Sequence, residues 1–328
     1  MTARNSVQSR RRFLKQAGTA GFSIAGGLAG FSTDTNSLRA DERTPVVYPS
    51  HGPSQRWLAN SRKIITEKIW PPPAARRVNK QIFVSSRLEN VFYVPIGRHA
   101  VLIDTGFHHQ VHHHLDNFEK LGCDLKKIVA ILASHSHVDH TAGLSRAQER
   151  LGVPVVAHRH ARKPIGTGDL LQTAAIITEA DGWEFEFPKC DIDETVDQGD
   201  RILIDDERID VYHVPGHTPD CLCYCWQGNL FTGDAIFNSG RIGWSHARWL
   251  TNYADIADSM RRLISDGVPA KRFYAAHGAD YPYDVTVPES IYVHALNLTK
   301  READPCNHTP RAVRRKAGEP TRTLRLPL

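Results

Sequence analysis

One hexapeptide limits what this chain can fold into more than any other feature. His135-Ser136-His137-Val138-Asp139-His140 places three imidazoles and a carboxylate within a few residues, directly after the apolar run Ile128-Val129-Ala130-Ile131-Leu132-Ala133. Imidazole nitrogen and carboxylate oxygen are donors that suit zinc and similar divalent metals, and a buried strand ending in a tight loop holds them rigidly. The competing reading is a solvated polar loop. The density of donors behind a buried strand favours the metal site.

Three other apolar runs end in the same way. Ile209 to Val214 leads into Pro215-Gly216-His217-Thr218, Leu230 to Thr232 into Gly233-Asp234, and Phe273 to Ala276 into His277-Gly278. Donors at the ends of several strands of one sheet meet along one edge, and flanking glycines let backbone crowd around a small ion. Four strand ends thus offer seven donors.

The rest of the body alternates strand and helix. Strands are predicted at Gln81 to Ser85, Asn90 to Pro95, His99 to Asp104, Val153 to Ala157, Arg201 to Ile204 and Leu222 to Trp226. Helices are predicted at about His109 to Leu121, Gly143 to Leu151, Leu170 to Glu179 and Ala254 to Ser265. This pattern argues for an α/β architecture. Residues 41–79 read as a linker with one short helix near Ser61 to Trp70, stopped by Pro71-Pro72-Pro73.

The motifs HSHVDH, PGHT, TGD and AHG, in that order and preceded by Asp104-Thr105-Gly106, resemble the metallo-β-lactamase superfamily over about residues 80–285. The resemblance implies an αβ/βα sandwich: two mixed sheets face to face, helices outside, and metals in a cleft at one edge. It puts His135, His137 and His217 on one metal and Asp139, His140 and His277 on the other, bridged by Asp234. It makes Asp104 a carboxylate behind the ligands that orients their loop.

A seven-donor set with a bridging carboxylate suits two divalent ions about 3.5–4 Å apart, which lower the pKa of a shared water toward about 7. Zn2+ fits best, with Fe or Mn as alternatives. The implied reaction is hydrolysis of an ester, thioester, lactone or related acyl bond in a small-molecule substrate, with Asp139 and Asp234 as catalytic proton acceptors. The bridging Asp234 argues against a β-lactamase, and PGHTPD with LFTGDAIF resembles the glyoxalase II-like thioesterases. The Gly-Cys-Gly-Arg-type segment of that branch is replaced here by Asn238-Ser239-Gly240-Arg241-Ile242-Gly243. An iron-dependent persulfide dioxygenase and a non-catalytic periplasmic metal-binding protein stand as the other readings.

Seventy-seven positions separate His140 from His217, long for this family, so residues 161–200 are expected to form a substrate cap. There Trp183, Phe185 and Phe187 either wall the substrate or belong to the core. Arg241, Tyr281 and Tyr283 follow metal ligands closely and are candidates for holding a substrate carboxylate or an oxyanion. The run His108, His109, His112, His113 and His114 spreads over more than one helix face and reads as solvated surface. His158 and His160 line the cleft or face solvent, and His213 belongs to a strand surface.

Charge and cysteines set the surroundings. The formal +5 is carried by the two ends: residues 1–40 hold six cations against Asp34, and the last twenty hold six against Glu319, leaving residues 41–308 at about −5. A nucleic-acid-binding core is therefore not expected. The extension 286–328 ends in this basic tail, which reads as a disordered, solubilising end, with contact to phosphate or anionic lipid as the other reading.

Ser9-Arg10-Arg11-Arg12-Phe13-Leu14-Lys15, followed by the Gly-rich apolar stretch Ala17 to Phe31, matches a twin-arginine export signal over 1–40. The expected partner is the twin-arginine translocase, and the expected location periplasmic or secreted, with no stable membrane span after cleavage. Cys123, Cys190, Cys221, Cys223, Cys225 and Cys306 show no disulfide framework; the alternating trio reads as small core-facing side chains.

Overall fold

The computed structural model describes residues 73–79, 81–176, 185–237 and 240–326. The export segment, the helix expected at 61–70 and Trp183 lie outside them. In chain order the strands and helices are β1 (Ala74–Arg77), β2 (Phe83–Ser86), β3 (Asn90–Ile96), β4 (His99–Ile103), α1 (Val111–Lys120), β5 (Ile128–Leu132), α2 (Val138–Thr141), α3 (Leu144–Leu151), β6 (Val155–His158) and α4 (Arg162–Thr167). There follow β7 (Glu194–Val196), β8 (Arg201–Ile204), β9 (Glu207–His213), β10 (Leu222–Trp226), β11 (Asn229–Gly233), α5 (Tyr253–Asp266), β12 (Arg272–Ala275), β13 (Asp280–Pro282), α6 (Thr286–Thr299) and β14 (Thr323–Arg325).

The strands form two seven-stranded mixed sheets, ordered β1-β2-β3-β4-β5-β6-β7 and β13-β12-β11-β10-β9-β8-β14. Side-chain alternation builds the layers. On β3, Phe92 and Val94 face the other sheet while Val91 and Tyr93 face helices α1 and α3. On β10, Leu222, Tyr224 and Trp226 enter the inter-sheet core, while Cys223 and Cys225 pack toward α5 and α6. The predicted four-layer sandwich is the observed one. All six cysteines are free and buried.

Helix α5 shows how local sequence sets an element. The Asn252 side chain caps it by accepting from the Asp255 amide at 3.0 Å, and Gly267 ends it in the left-handed conformation at φ 62°. Ile256, Met260, Leu263 and Ile264 recur on one face and are buried. Gly216, at φ 144°, lies so close to this helix that a Cβ there would collide with the backbone of Ile256. The PGH turn therefore requires glycine.

Several expectations need correction. Folded structure begins before residue 80, because β1 pairs antiparallel with β2. Over its described part, the helix expected at Leu170 to Glu179 is a run of turns; the helix lies earlier, at α4, and ends at Gly168. The basic extension is part of the sandwich. Helix α6 contributes Ile291, Ala295 and Leu298 to the core shared with α5, and β14 adds a parallel edge strand beside β8.

Arg311, Arg314 and Arg315 of the tail are paired, not solvated. Arg315 forms a two-pronged pair with the buried Asp200 at 2.5 and 3.0 Å, Arg311 binds Asp255 at 2.7 Å, and Arg314 donates to the Asp255 carbonyl and Ser259 Oγ. Their carboxylate partners lie 53–115 residues away in sequence.

The histidine run is likewise not plain surface. His108 is buried, and the fully buried His114 sits between Ser85 Oγ at 2.8 Å and Glu89 Oε1 at 3.0 Å. Phe185 and Phe187 resolve to core, with Phe185 4.8 Å from Phe107. Among the described residues no helix is long and apolar enough to cross a membrane.

Candidate metal centre

The seven donors come to one place because five strands end at one edge of the sandwich. Strands β4 and β5 run parallel, and so do β11 and β12; β9 shares the direction of β11 because both are antiparallel to β10. Their C-terminal ends carry Asp104, the HSHVDH loop, His217, Asp234 and His277. Two staples hold the sheets in register at this edge. Leu222 N and Tyr224 Oη donate to the Ser134 and Ala133 carbonyls, and Asn90 donates from its amide and side chain to the carbonyls of Ala276, Ala275 and Gly278.

All seven predicted donors converge. His135, His137 and His217 form one group and Asp139, His140 and His277 a second. Asp234 faces both: Oδ2 lies 3.6 Å from His217 Nε2, and Oδ1 lies 3.4 Å from His277 Nε2 and 3.9 Å from His140 Nε2. Within the groups, His217 Nε2 is 3.0 Å from His137 Nδ1, and Asp139 stands 3.4 and 3.3 Å from His140 and His277. The spacings around Asp139 and His277, 3.3–3.4 Å, match the edges of a zinc coordination tetrahedron, about 3.3–3.5 Å for bonds of about 2.0–2.1 Å, and the others lie within about half an ångström of it.

The donors fit a metal on independent grounds. His135 Nε2, His140 Nε2 and Asp234 Oδ1 are buried without a hydrogen-bond partner, an arrangement that costs free energy unless something else occupies the space between them. Their other atoms are already committed. His135 Nδ1 meets Ser134 Oγ at 3.1 Å, His140 Nδ1 meets Asp104 Oδ2 at 3.1 Å, and His277 Nδ1 donates to the Leu88 carbonyl at 2.7 Å. These contacts aim the free nitrogens inward.

Asp104 is where the geometry is set. It also accepts from Ser134 N and Ser134 Oγ, each at 2.7 Å, so one carboxylate fixes both the start of the HSHVDH loop and the His140 ring. Its backbone is left-handed at φ 59°, a conformation that Asp tolerates better than most residues. Gly233, at φ 51°, passes so near that an added Cβ would lie 2.8 Å from Ser134.

Electrostatics divides the donors. Burial and neighbouring imidazoles hold His135 and His137 well below the ordinary histidine range, and burial lowers His217. Burial opposes charge on His140 and His277 as well, but Asp139, Asp234 and Asp104 outweigh it. His140 is raised well above its ordinary value and His277 is pushed up to about 11. Burial alone would raise both carboxyls; the facing imidazoliums hold Asp139 and Asp234 below the carboxylate range instead.

A ligating imidazole must surrender the proton on its metal-facing nitrogen. The two raised histidines are protonated at neutral pH in the metal-free protein, so metal binding there is expected to release about two protons per chain. Affinity should fall as pH drops, because acid favours the protonated, metal-free form. Calorimetric titration with zinc in two buffers of different ionisation enthalpy reads the number; a release near zero contradicts the assignment.

The predicted substrate residues fare differently. Arg241 is exposed, and its backbone pairs across a tight turn with Phe237, whose ring lies 4.9 Å from His277. Tyr281 and Tyr283 instead pack against the core beside α5 and α6, Tyr281 stacked on Phe273 at 5.5 Å.

Trp249, which the sequence did not single out, stands edge-on to His137 at 4.8 Å. It shares the wall of a cavity of about 310 Å³ with Ser136, Lys163, Gln172 and Asp220, so part of the 161–200 segment does face open space beside the centre. Asp220 belongs to the PGHTPD run; burial raises its carboxyl, and Oδ1 accepts from Ser136 Oγ at 3.3 Å. The cleft is most open at Asp139 and His277, whose side chains are 22% and 17% exposed.

The profile of the metallo-β-lactamase superfamily matches residues 87–278, more than half of the chain, and the chain belongs to that superfamily. It is 22% identical over 214 residues to the human acyl-coenzyme A thioesterase MBLAC2, an alignment covering 59% of this chain and 75% of the relative. It is 31% identical over 162 residues to the hydroxyacylglutathione hydrolase of Halorhodospira halophila, covering 47% of this chain and 53% of that enzyme, about half its length. Among solved structures, the metallo-β-lactamase MIM-1 of Novosphingobium pentaromativorans superposes with a TM-score of 0.56 at 19% identity, covering 75% of this chain and 99% of that one. At such identity the likeness concerns the fold.

Proposed function

We propose that this chain is a metal-dependent hydrolase of acyl thioesters. The observation that carries the reading is the convergence of seven buried or half-buried donors, with Asp234 turning one oxygen to each group. Two divalent ions, most simply Zn2+, would be held by His135, His137 and His217 on one side and Asp139, His140 and His277 on the other, and when bound would supply a nucleophilic water at neutral pH and polarise the acyl carbonyl.

The chain's own groups do the rest. Asp139 faces the open side of the cleft, where a carboxylate can take up a proton from the attacking water. Trp249 covers one flank of the centre, and the cavity beside it offers room for an acyl or thiol arm. The thioester preference is supported by the names of the relatives, by PGHTPD and by the bridging position of Asp234.

A panel of acyl-coenzyme A, acylglutathione, ester, lactone and β-lactam substrates tests the reading. Thioesters are expected to be cleaved at least about tenfold faster in kcat/KM than the others, the equivalent of about 1.4 kcal/mol. Oxygen uptake with a persulfide and an iron-loaded chain, in place of hydrolysis, would favour the dioxygenase instead. Binding of metal with turnover of none of these would favour a non-catalytic role.

We also propose export by the twin-arginine route to the periplasm or beyond, on the strength of Ser9 to Lys15. In fractionated cells, replacing Arg10 and Arg11 by Lys is expected to trap the chain in the cytoplasm. An unchanged distribution would count against export by this route.

A further inference from the structure

The ring of His277 is aimed by a turn that belongs to the other sheet. Its Nδ1 donates to the carbonyl of Leu88, in the turn between β2 and β3, and Asn90 at the far side of that turn holds the backbone on either side of His277. Glu89 stands between these two anchors. Leu88 is 51% exposed, yet the Glu89 side chain is wholly buried. It turns inward to His114 on α1, whose Nε2 lies 3.0 Å from Glu89 Oε1 and whose Nδ1 lies 2.8 Å from Ser85 Oγ. The imidazole is thus held at both nitrogens, while Glu89 Oε2 is buried with no hydrogen-bond partner. Burying a half-satisfied carboxyl group costs free energy, and apolar side chains would fill the same space without that cost.

The same bond is packed against the segment that anchors His140. Gly106 crosses it at φ 71°, where an added Cβ would lie 2.8 Å from both Glu89 Oε1 and His114 Nε2. The two residues before Gly106 hold His140: Asp104 Oδ2 meets its Nδ1 at 3.1 Å, and Thr105 donates from N and Oγ1 to its carbonyl at 2.8 and 3.0 Å. One buried hydrogen bond therefore lies between the anchors of His277 and His140, which share a donor group with Asp139. His137 and His217, in the other group, are tied elsewhere, their carbonyls accepting from Thr141 Oγ1 and Thr251 Oγ1.

We propose that Glu89 and His114 are positioning residues for the group formed by Asp139, His140 and His277. Their hydrogen bond fixes the turn so that the Leu88 carbonyl meets His277, and it backs the Gly106 segment so that His140 stays in line. Neither residue is itself a donor to the metal; the pair sets how tightly the second ion is held. This role presupposes that the seven donors hold two ions.

Zinc titration of the full, metal-free chain, read by calorimetry or by competition with a chelator, tests it. Wild type is expected to bind two equivalents. Glu89→Leu/His114→Phe replaces the pair by apolar side chains of similar size, a change that keeps a buried site packed. In that variant one equivalent is expected to bind as in wild type and the other about 10–100-fold more weakly, with the thermal midpoint of the metal-free protein close to that of wild type. Glu89→Gln, which keeps an acceptor for His114, is expected to retain the affinity for both. In cobalt-loaded double variant, the visible bands of the second equivalent should shift while those of the first do not. Wild-type affinity at both equivalents in the double variant overturns the proposal, and so does equal weakening of both, which marks the pair as general support of the fold. Glu89→Ala reads the same selectivity if the double variant does not fold. A wild type that binds a single equivalent removes the two-metal reading, and this role with it, before any variant is compared; two equivalents in wild type without selectivity in the variant remove this role alone.

Discussion

Asp139→Asn is expected to reduce kcat for thioester hydrolysis by about 10²–10⁴-fold while leaving a folded protein. The amide keeps the carboxylate's shape but cannot accept a proton or carry the charge that faces His140 and His277 at 3.4 and 3.3 Å. Fold retention is expected because Asp139 lies in the four-residue α2 and is 22% exposed, so it carries little packing. The loss should appear in kcat more than in KM, since the group acts on the reacting atoms and not on the body of the substrate. Unchanged turnover in Asp139→Asn would remove this carboxylate from the chemistry.

Asp104→Ala is expected to do the second greatest damage, through position and not through contact with substrate. It leaves the buried Ser134 amide without an acceptor, at a cost of about 1–3 kcal/mol. It also frees the His140 ring from its 3.1 Å anchor, which should weaken zinc binding about 10–100-fold. The left-handed backbone at this position adds strain for Ala, so Asp104→Asn serves as the milder comparison. Competition for zinc with a chromophoric chelator reads the affinity and thermal unfolding reads the stability. Wild-type affinity in both variants would show that Asp104 does not orient the ligands.

The centre was legible in the sequence because its chemistry is written locally. Imidazoles and carboxylates stand directly after fully apolar strands such as Ile128–Leu132 and Phe273–Ala275, and buried strands of this kind announce both their position and their ends. What escaped prediction depends on partners far away in the chain. The edge strands β1, β7 and β14 read AARR, ETV and TLR, with no apolar period, and exist through backbone pairing with neighbours. The tail looked solvated because arginines usually are; Asp200, Asp255 and Asp258 give these a folded place.

Histidine was the hardest residue to place. His114 is buried against Glu89, twenty-five positions earlier, through a 3.0 Å hydrogen bond, and His158 and His213 meet only because two sheets stack. Tyr281 and Tyr283 were near ligands in sequence, yet Tyr281 on β13 and Tyr283 just after it pack half-buried against the core shared by α5 and α6. Trp249 carries no ligand chemistry and reached the centre through a loop whose path no pattern disclosed.

On the proposed reading the seven-donor cluster is the hydrolytic centre and works only with metal. Thioester turnover by the full chain, measured after chelator stripping and again after zinc reloading, tests it most directly. Stripped protein is expected to be inactive and reloaded protein to recover its turnover, whereas stripped, metal-free protein that still hydrolyses thioesters at the original rate would contradict the account.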